Sequence, residues 1–480
     1  MRQRRYISLG ILAGLVIGLL WTAPVSAQAS LFVVNSWFDD TDAHDANPGD
    51  CICADTYGVC TLRAAVEEAN ACSGPDTITF KFAMNIDIDT NLTSLALNET
   101  ATVDASDVWN SLDNAPGVTI NGGDASFAGL YLGGDSCEIY GLYITNFDGA
   151  GILAFSASNT IGGTGAGQRN VLSGNSSGLD LSGASVQNNV IRNNYIGLTP
   201  AGTTKNPNET GIVIANGASN NVVGGNQAAQ ANYISGNTYN GITIEGSGTD
   251  NNQIMGNAIG LGTDLSTNLG NGAWGIRIIN GSSNTVIGGA SNSGNFISYS
   301  TYSGISALNA GSGTQVTHNI IGGNGSDGVE INNSSGLVVS DNWIASNTLD
   351  GVRVVGASAA GNLIWPNSIH GNGSKGIHLQ SGGNMSIAAP VINSASTTGA
   401  SGTTCASCRV ALYSDSSDEG QVYHDIVWAD VGGNWSYTGA LFGPNVTATS
   451  IDGSGNTSEF SAPYEIIYKV HLPLVLRRSF

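Results

Sequence analysis

Apolar and polar residues alternate in short runs that recur through the middle of the chain. Each run has the form Gly-φ-x-φ, in which φ is apolar and x varies, and successive runs begin 22–34 residues apart. Alternation with a period of two predicts a short strand with one buried face. The spacing indicates a repeat architecture. The runs begin at Gly129, Gly151, Gly178, Gly211, Gly241, Gly275, Gly304, Gly328, Gly351 and Gly376.

A second pattern, Asn-x-(Ile/Leu), runs beside the first. One such piece is too short to bury its apolar face alone, so successive pieces must stack as coils. A period near 22–25 residues with two or three short strands per turn predicts an all-β parallel β-helix. Leucine-rich repeats would need a leucine framework, and propeller blades need longer repeats. The asparagines are Asn170, Asn194, Asn232, Asn257, Asn295, Asn319, Asn342 and Asn367.

The composition fits sharp corners between strands. The chain of 480 residues contains 67 glycines, and only 11% of its residues are charged. Glycine and asparagine tolerate the left-handed backbone that tight corners use. Asparagines in register can also hydrogen-bond from coil to coil, and we expect such a ladder at Asn237, Ser300, Asn324, Asn347 and Asn372. The formal net charge of −21 disfavours nucleic acid as a partner.

The two ends of the chain differ from the repeat. Residues 1–27 have a basic start, an apolar run and small residues before Gln28, which predicts a secretory signal peptide. Its apolar run is too short for a membrane span, and we expect no transmembrane segment in the mature chain. We predict an N-terminal cap at 28–85, the β-helix at 86–388, a β-sandwich module at 389–465 and a tail at 466–480.

Six cysteines lie in the cap and the sandwich. Export favours disulfides over a metal site or redox chemistry. The four cap cysteines allow three pairings, and the last two stand three residues apart. The predicted disulfide cysteines are Cys51, Cys53, Cys60, Cys72, Cys405 and Cys408.

The cap resembles a known family. Cys60-Thr-Leu-Arg-Ala-Ala is similar to the Cys-Ser-Leu-Arg-Glu-Ala-type motif of secreted bacterial right-handed parallel β-helix proteins, which are pectin-lyase-like, and Ala64 departs from the family's usual Glu. Ala69-Asn70 and Asp76-Thr-Ile also match the family's pattern. The resemblance implies a right-handed solenoid behind an N-terminal cap helix, and an immunoglobulin-like module behind the solenoid. The family has no single activity.

The position x of the repeat should point outward and form a column along the stack. Near the end of the solenoid this column and the residue before each glycine are polar. The candidate catalytic residues are Arg353, Lys375 and Glu330, the candidate ligand-binding residues are Arg277, His378 and Trp274, and Asp327 and Asp350 are candidate calcium ligands. A strip of solvated ion pairs without catalytic function is the competing interpretation.

Two functions follow from these observations. The first is a secreted adhesin or scaffold, at the cell surface or extracellular, that binds polysaccharide or cell-envelope components and requires no cofactor. The alternative is a polysaccharide lyase or glycoside hydrolase that uses the strip at 327–378. A lyase is favoured over a hydrolase, because the paired-aspartate motif of polygalacturonases is absent from this region of the sequence.

Overall fold

A computed structural model describes residues 29–466. The predicted signal peptide and nearly all of the predicted tail lie outside these residues. Within the described range the chain forms one α-helix, Leu62–Ala71, and otherwise strands and short turns. Four 3-10 turns complete the elements: Ser106–Val108, Ala166–Gln168, Ala228–Gln230 and Gly383–Ser386. The all-β prediction is therefore confirmed.

Three long parallel sheets run the length of the solenoid, and every coil adds one strand to each sheet. Sheet 1 contains Leu31–Val34, Asp76–Phe80, Ala101–Asp104, Glu138–Tyr140, Thr160–Ile161, Val190–Ile191, Val222–Gly224, Gln253–Met255, Val286–Gly288, Gln315–Thr317, Val338–Ser340 and Leu363–Ile364. Sheet 2 contains Met84–Asp87, Val118–Ala125, Leu142–Phe147, Val171–Ser173, Tyr195–Ile196, Tyr233–Ile234, Ala258–Ile259, Phe296–Ser298, Ile320–Gly322, Trp343–Ala345 and Ser368–His370. Sheet 3 contains Leu95–Leu97, Leu130–Leu132, Ala150–Ala154, Ser177–Ser182, Thr210–Ala215, Ile242–Glu245, Ile276–Ile279, Ile305–Leu308, Val329–Asn332, Val352–Val355 and Ile377–Gln380.

All ten Gly-φ-x-φ runs lie in sheet 3. Their apolar φ residues point into the solenoid, and Ile152, Ile212 and Ile331 are fully buried there. The x residues pair in register from coil to coil, as predicted. The column reads Tyr131, Leu153, Asp180, Val213, Thr243, Arg277, Ser306, Glu330, Arg353 and His378.

The glycines that begin these runs serve a different purpose from the one predicted. None of the ten adopts a left-handed backbone. A Cβ at Gly328 would instead lie 2.5 Å from Cγ2 of Ile344 and 2.7 Å from the carbonyl oxygen of Gly351. Contacts this close exclude a side chain, so the repeated glycine is required by the approach of neighbouring chain segments. Left-handed corners are made elsewhere, for example at Gly288 and Asn193.

Buried asparagine ladders hold the corners together. In the ladder before sheet 2, each Nδ2 donates to the Oδ1 of the asparagine one coil further, at 2.9–3.0 Å from Asn170 to Asn367. The predicted ladder before sheet 3 is present at its asparagines and contains in addition Asn208 and Asn271. Its side-chain bonds are interrupted at Ser300, whose hydroxyl has no hydrogen-bond partner among the described residues and whose amide alone donates to Asn324. A third ladder, which was not predicted, stands before sheet 1 at Asn159, Asn189, Asn221 and Asn252.

The cap closes the first end of the solenoid. Its helix begins after Thr61, whose hydroxyl accepts from the amide of Ala64. The amphipathic pattern places Arg63 and Glu68 on the polar face of this helix, yet both are buried. The guanidinium of Arg63 donates to both oxygens of Asp39, and the carboxylate of Glu68 accepts from the amides of Gly49 and Cys51. Cap loops cover this face and supply partners for both charges.

Two disulfides lie within the cap, and a third lies within the sandwich. Cys51 pairs with Cys72, and Cys53 pairs with Cys60. Cys405 pairs with Cys408 in the sandwich. The arginine that follows Cys60 in the family-like motif is the buried Arg63, so the motif supplies both a disulfide and an ion pair to the cap.

Residues after the last coil form two antiparallel sheets with their own core. One sheet contains Val391–Ser396, Gly399–Thr403 and Asn434–Thr438, and the other contains Arg409–Asp415, Val422–Trp428, Asn445–Ile451 and Tyr464–Glu465. Trp435 from the first sheet packs in one cluster with Val410 and Val446 from the second. The sandwich contacts the last coil, where Glu419 accepts from both the amide and Nδ2 of Asn372.

Candidate functional site

The last three coils bring charged side chains together on the outer face of sheet 3. We call Asp327, Glu330, Asp350, Arg353, Lys375 and His378 the charged strip. Glu330, Arg353 and His378 occupy adjacent positions of the x column. Asp327, Asp350 and Lys375 each stand directly before the glycine of their coil, so they lie at the edge of the same sheet. The predicted grouping of these residues follows from this register.

Arg353 is the central cation of the strip. Its Nε lies 2.9 Å from Oδ2 of Asp327, and its Nη2 lies 2.8 Å from Oε1 of Glu330. The Asp327 side chain is fully buried, whereas 27% of the Arg353 side chain is exposed. Burial raises the pKa of Asp327, and the guanidinium of Arg353 opposes that increase. A guanidinium bound by two carboxylates is unsuitable as a catalytic base.

Asp350 and His378 form a second pair. Nδ1 of His378 lies 2.8 Å from Oδ2 of Asp350, and 30% of the His378 side chain is exposed. The other oxygen of Asp350 accepts from the amide of Lys375 at 3.0 Å. A carboxylate on Nδ1 favours the tautomer whose Nε2 can accept a proton. This arrangement is suited to a proton acceptor at the surface.

Lys375 turns away from the strip toward the sandwich. Its Nζ lies 2.7 Å from Oε2 of Glu459, and half of its side chain is exposed. The second oxygen of Glu459 accepts from the amide of Leu379. Lys375 and Glu459 thus form a contact between the solenoid and the sandwich.

The candidate calcium ligands do not fit a calcium ion. Oδ1 of Asp327 accepts from the amide of Asp350, and Oδ2 accepts from Arg353. The oxygens of Asp350 are shared between the Lys375 amide and His378. Calcium needs six to eight oxygen ligands, and here a guanidinium already lies against the buried carboxylate. Within residues 29–466, the one group of three ligand atoms close enough for a metal is Cys51, Glu68 and Cys72, whose cysteines form a disulfide.

An aromatic group lies on the same face, on the N-terminal side of the strip. We use this name for Tyr239, Trp274 and Tyr302. The rings of Trp274 and Tyr302 are 4.9 Å apart, and the guanidinium of Arg277 lies 4.2 Å from the Trp274 ring. Tyr239 is 55% exposed and Tyr302 is 49% exposed. The structure therefore brings Trp274 and Arg277 together and places exposed rings beside them.

Sequence reasoning missed part of this group. It did not single out Tyr302, which stands two residues before Gly304 just as Tyr239 stands two residues before Gly241. Alignment of the coils on their glycines would have revealed this pair. Trp343, another exposed tryptophan, belongs to sheet 2 and faces another side of the solenoid.

Comparisons with known proteins agree with this architecture. The family model described as a right handed beta helix region matches residues 231–411. A search of the curated proteins found no match by sequence. The described residues contain no helix of the length and apolarity needed to cross a membrane.

Three solved structures illustrate the likeness. The A-module of the Azotobacter vinelandii mannuronan C-5 epimerase has a TM-score of 0.43 and 15% identity over 66% of this chain and 94% of that chain. The Dettilon tailspike protein has a TM-score of 0.34 and 14% identity, over 81% and 73%. A mutant tailspike protein of E. coli bacteriophage HK620, in complex with a pentasaccharide, has a TM-score of 0.33 and 10% identity, over 83% and 91%. Likeness at this level carries no conclusion about function. The three parallel sheets and the family model identify the fold as a right-handed parallel β-helix.

Proposed function

We propose that the protein is a secreted β-helix protein that binds extracellular polysaccharide along the outer face of sheet 3. The observation that carries this proposal is the aromatic group beside the charged strip on one continuous face. Aromatic rings offer flat apolar surfaces, and their edges leave room for polar contacts. Tyr239 and Tyr302 are two coils apart, about 10 Å along the solenoid, so an extended chain could contact both.

The charged strip supplies the polar part of the proposed surface. Arg353 and His378 are partly exposed and are held by buried or half-buried carboxylates. Side chains fixed in this way lose little conformational entropy when a ligand binds. Three disulfides among the described residues support an oxidising compartment and therefore secretion. A scaffold or adhesin at the cell surface needs no chemistry beyond such binding.

The test is polysaccharide binding by a matched pair of double variants. Tyr239→Ala with Tyr302→Ala should weaken retention on immobilised uronate or neutral glycans at least about tenfold. Trp428→Ala with Phe442→Ala is the control, because these side chains are 70% and 63% exposed on the sandwich. Equal binding by both double variants and the unmodified protein would contradict the proposed surface.

A second candidate function is polysaccharide cleavage by β-elimination, as in a lyase, and the Asp350–His378 pair favours it. In such a reaction Nε2 of His378 would take the proton next to a uronate carboxylate, and the glycosidic oxygen would leave as the carbon–carbon double bond forms. Arg353 would face the substrate carboxylate. Lys375 is less suitable as the base because Glu459 holds its ammonium.

Ultraviolet absorbance of the unsaturated product measures this activity directly. We expect His378→Ala to abolish it and Lys375→Ala to preserve it. Absence of turnover on a panel of uronate polysaccharides that the protein binds would exclude the lyase and leave the binding function intact.

A further inference from the structure

A cavity of about 440 Å³ opens in the cap. Three aromatic side chains line it: Trp37, Phe38 and Tyr57. They are 53%, 56% and 75% exposed, and the rings of Trp37 and Phe38 lie 5.4 Å apart. Large exposed rings gathered in one concave surface are typical of a binding site.

The charge of the cavity is negative. Asp40, Asp42 and Asp55 line it beside the rings, and none of the described lining residues is Lys, Arg or His. The hydroxyl of Tyr57 lies 3.2 Å from Oδ2 of Asp42. The negative charges of Asp42 and its neighbours raise the pKa of Tyr57. The surface therefore combines ring faces with an excess of negative charge.

The walls of the cavity are firmly held. Asp55 is buried and accepts from the amides of Tyr57 and Val59, at 2.8 and 3.0 Å. The Cys53–Cys60 disulfide spans the same loop. On the opposite side, Asp39 precedes Asp40 and is fixed by its buried pair with Arg63. Such preorganisation lowers the entropy cost of binding.

We propose that this cavity binds an organic cation with a methylated ammonium group, through the rings of Trp37, Phe38 and Tyr57. Ring faces attract cations, and the methyl groups provide apolar area that a primary ammonium lacks. The carboxylates supply the opposite charge. A metal ion is disfavoured because the cavity carboxylates do not bring three ligand atoms within 4.8 Å of one another. The site is separate from sheet 3, so this proposal does not depend on polysaccharide binding.

Titration calorimetry with choline tests the proposal on the whole protein. The comparison ligand is the uncharged isostere in which carbon replaces the quaternary nitrogen. We expect choline to bind at least about tenfold more tightly than the isostere, since only the cation gains the cation–π and Coulomb attraction. Raising the salt concentration should weaken choline binding.

Two exposed positions provide variants that should fold normally. Trp37→Ala and Tyr57→Ala should each weaken choline binding by about tenfold, whereas Phe442→Ala in the sandwich should leave it unchanged. The Tyr239→Ala and Tyr302→Ala double variant should retain choline binding even where glycan binding is lost. Equal binding of choline and its isostere, or unchanged binding in both cap variants, would overturn the proposal.

Discussion

Replacing one buried asparagine of the ladder before sheet 2 should lower the stability of its own coil and of the two adjacent coils. Nδ2 of Asn319 donates to Oδ1 of Asn342 and to the carbonyl oxygens of Ile287 and Thr317, at 2.9–3.1 Å. Its Oδ1 accepts from the amide and Nδ2 of Asn295, at 3.0 and 2.9 Å. Asn319→Ala therefore removes hydrogen bonds to both adjacent coils at once.

The magnitude follows from these contacts. The Nδ2 group has two N–H donors for its three acceptors, so with the two bonds that Oδ1 accepts the side chain makes about four full hydrogen bonds. At about 1 kcal/mol each, their loss lowers the local free energy of unfolding by about 4 kcal/mol. Relaxation of the corner reduces this loss, and we expect about 3–4 kcal/mol. A loss of about 3 kcal/mol corresponds to about 100-fold weaker protection of backbone amides against exchange. Because coils contact mainly their neighbours, the effect should decline with distance along the stack.

Hydrogen–deuterium exchange resolved by peptide is the appropriate assay, since a long repeat array need not unfold in one step. The matched control is Asn292→Ala, which changes an exposed asparagine in the loop just before Asn295, the rung that precedes Asn319. If Asn319→Ala and Asn292→Ala show the same exchange in the coils that contain Asn295 and Asn342, the ladder does not stabilise the stack and the reasoning fails.

Two further predictions concern charges on sheet 3. Arg353→Met should lower the free energy of unfolding by about 2–3 kcal/mol because it leaves the buried carboxylate of Asp327 unpaired. Lys375→Met should lower it by less than about 1 kcal/mol, because the pair of Lys375 with Glu459 is exposed. Equal losses for the two variants in urea denaturation would argue against this reasoning. Burial raises the pKa of Asp180 to about 6, above its unfolded value, so ionisation of this carboxyl opposes folding. Stability should therefore fall as the pH rises from about 4 through about 6, and Asp180→Asn should recover on the order of 2–3 kcal/mol at pH 8 in thermal melts; an unchanged pH profile in this variant would show that another group is responsible.

The coil register could be predicted from the sequence because it depends on local patterns. Alternation fixes which residues face inward, and the glycines fix where each sheet 3 strand begins. Neighbouring x residues such as Glu330 and Arg353 therefore follow directly from the alignment of the repeats. The ladder before sheet 1 has the same kind of signal, because Asn189 and Asn252 each stand two residues before an isoleucine.

Contacts between distant segments could not be predicted in this way. Arg63 has the position of a surface residue on its helix, and only the cap loop that carries Asp39 buries it. The pairing of Lys375 with Glu459 joins residues 84 positions apart, across two different folds. The sequence therefore predicted which charged residues are neighbours on sheet 3, while the partner of Lys375 depends on tertiary packing.

The contact between Glu419 and Asn372 determines where the solenoid can stop. An asparagine amide accepts from one coil and donates to another, so every rung of the ladder can be continued by another rung. An ionised carboxylate can accept hydrogen bonds but cannot donate them. Glu419 occupies the place of the next asparagine, fills both hydrogen-bonding positions of Asn372 and donates to no further coil. The sandwich thereby terminates the stack chemically and sterically, and removes an open end that could template end-to-end polymerisation into fibres.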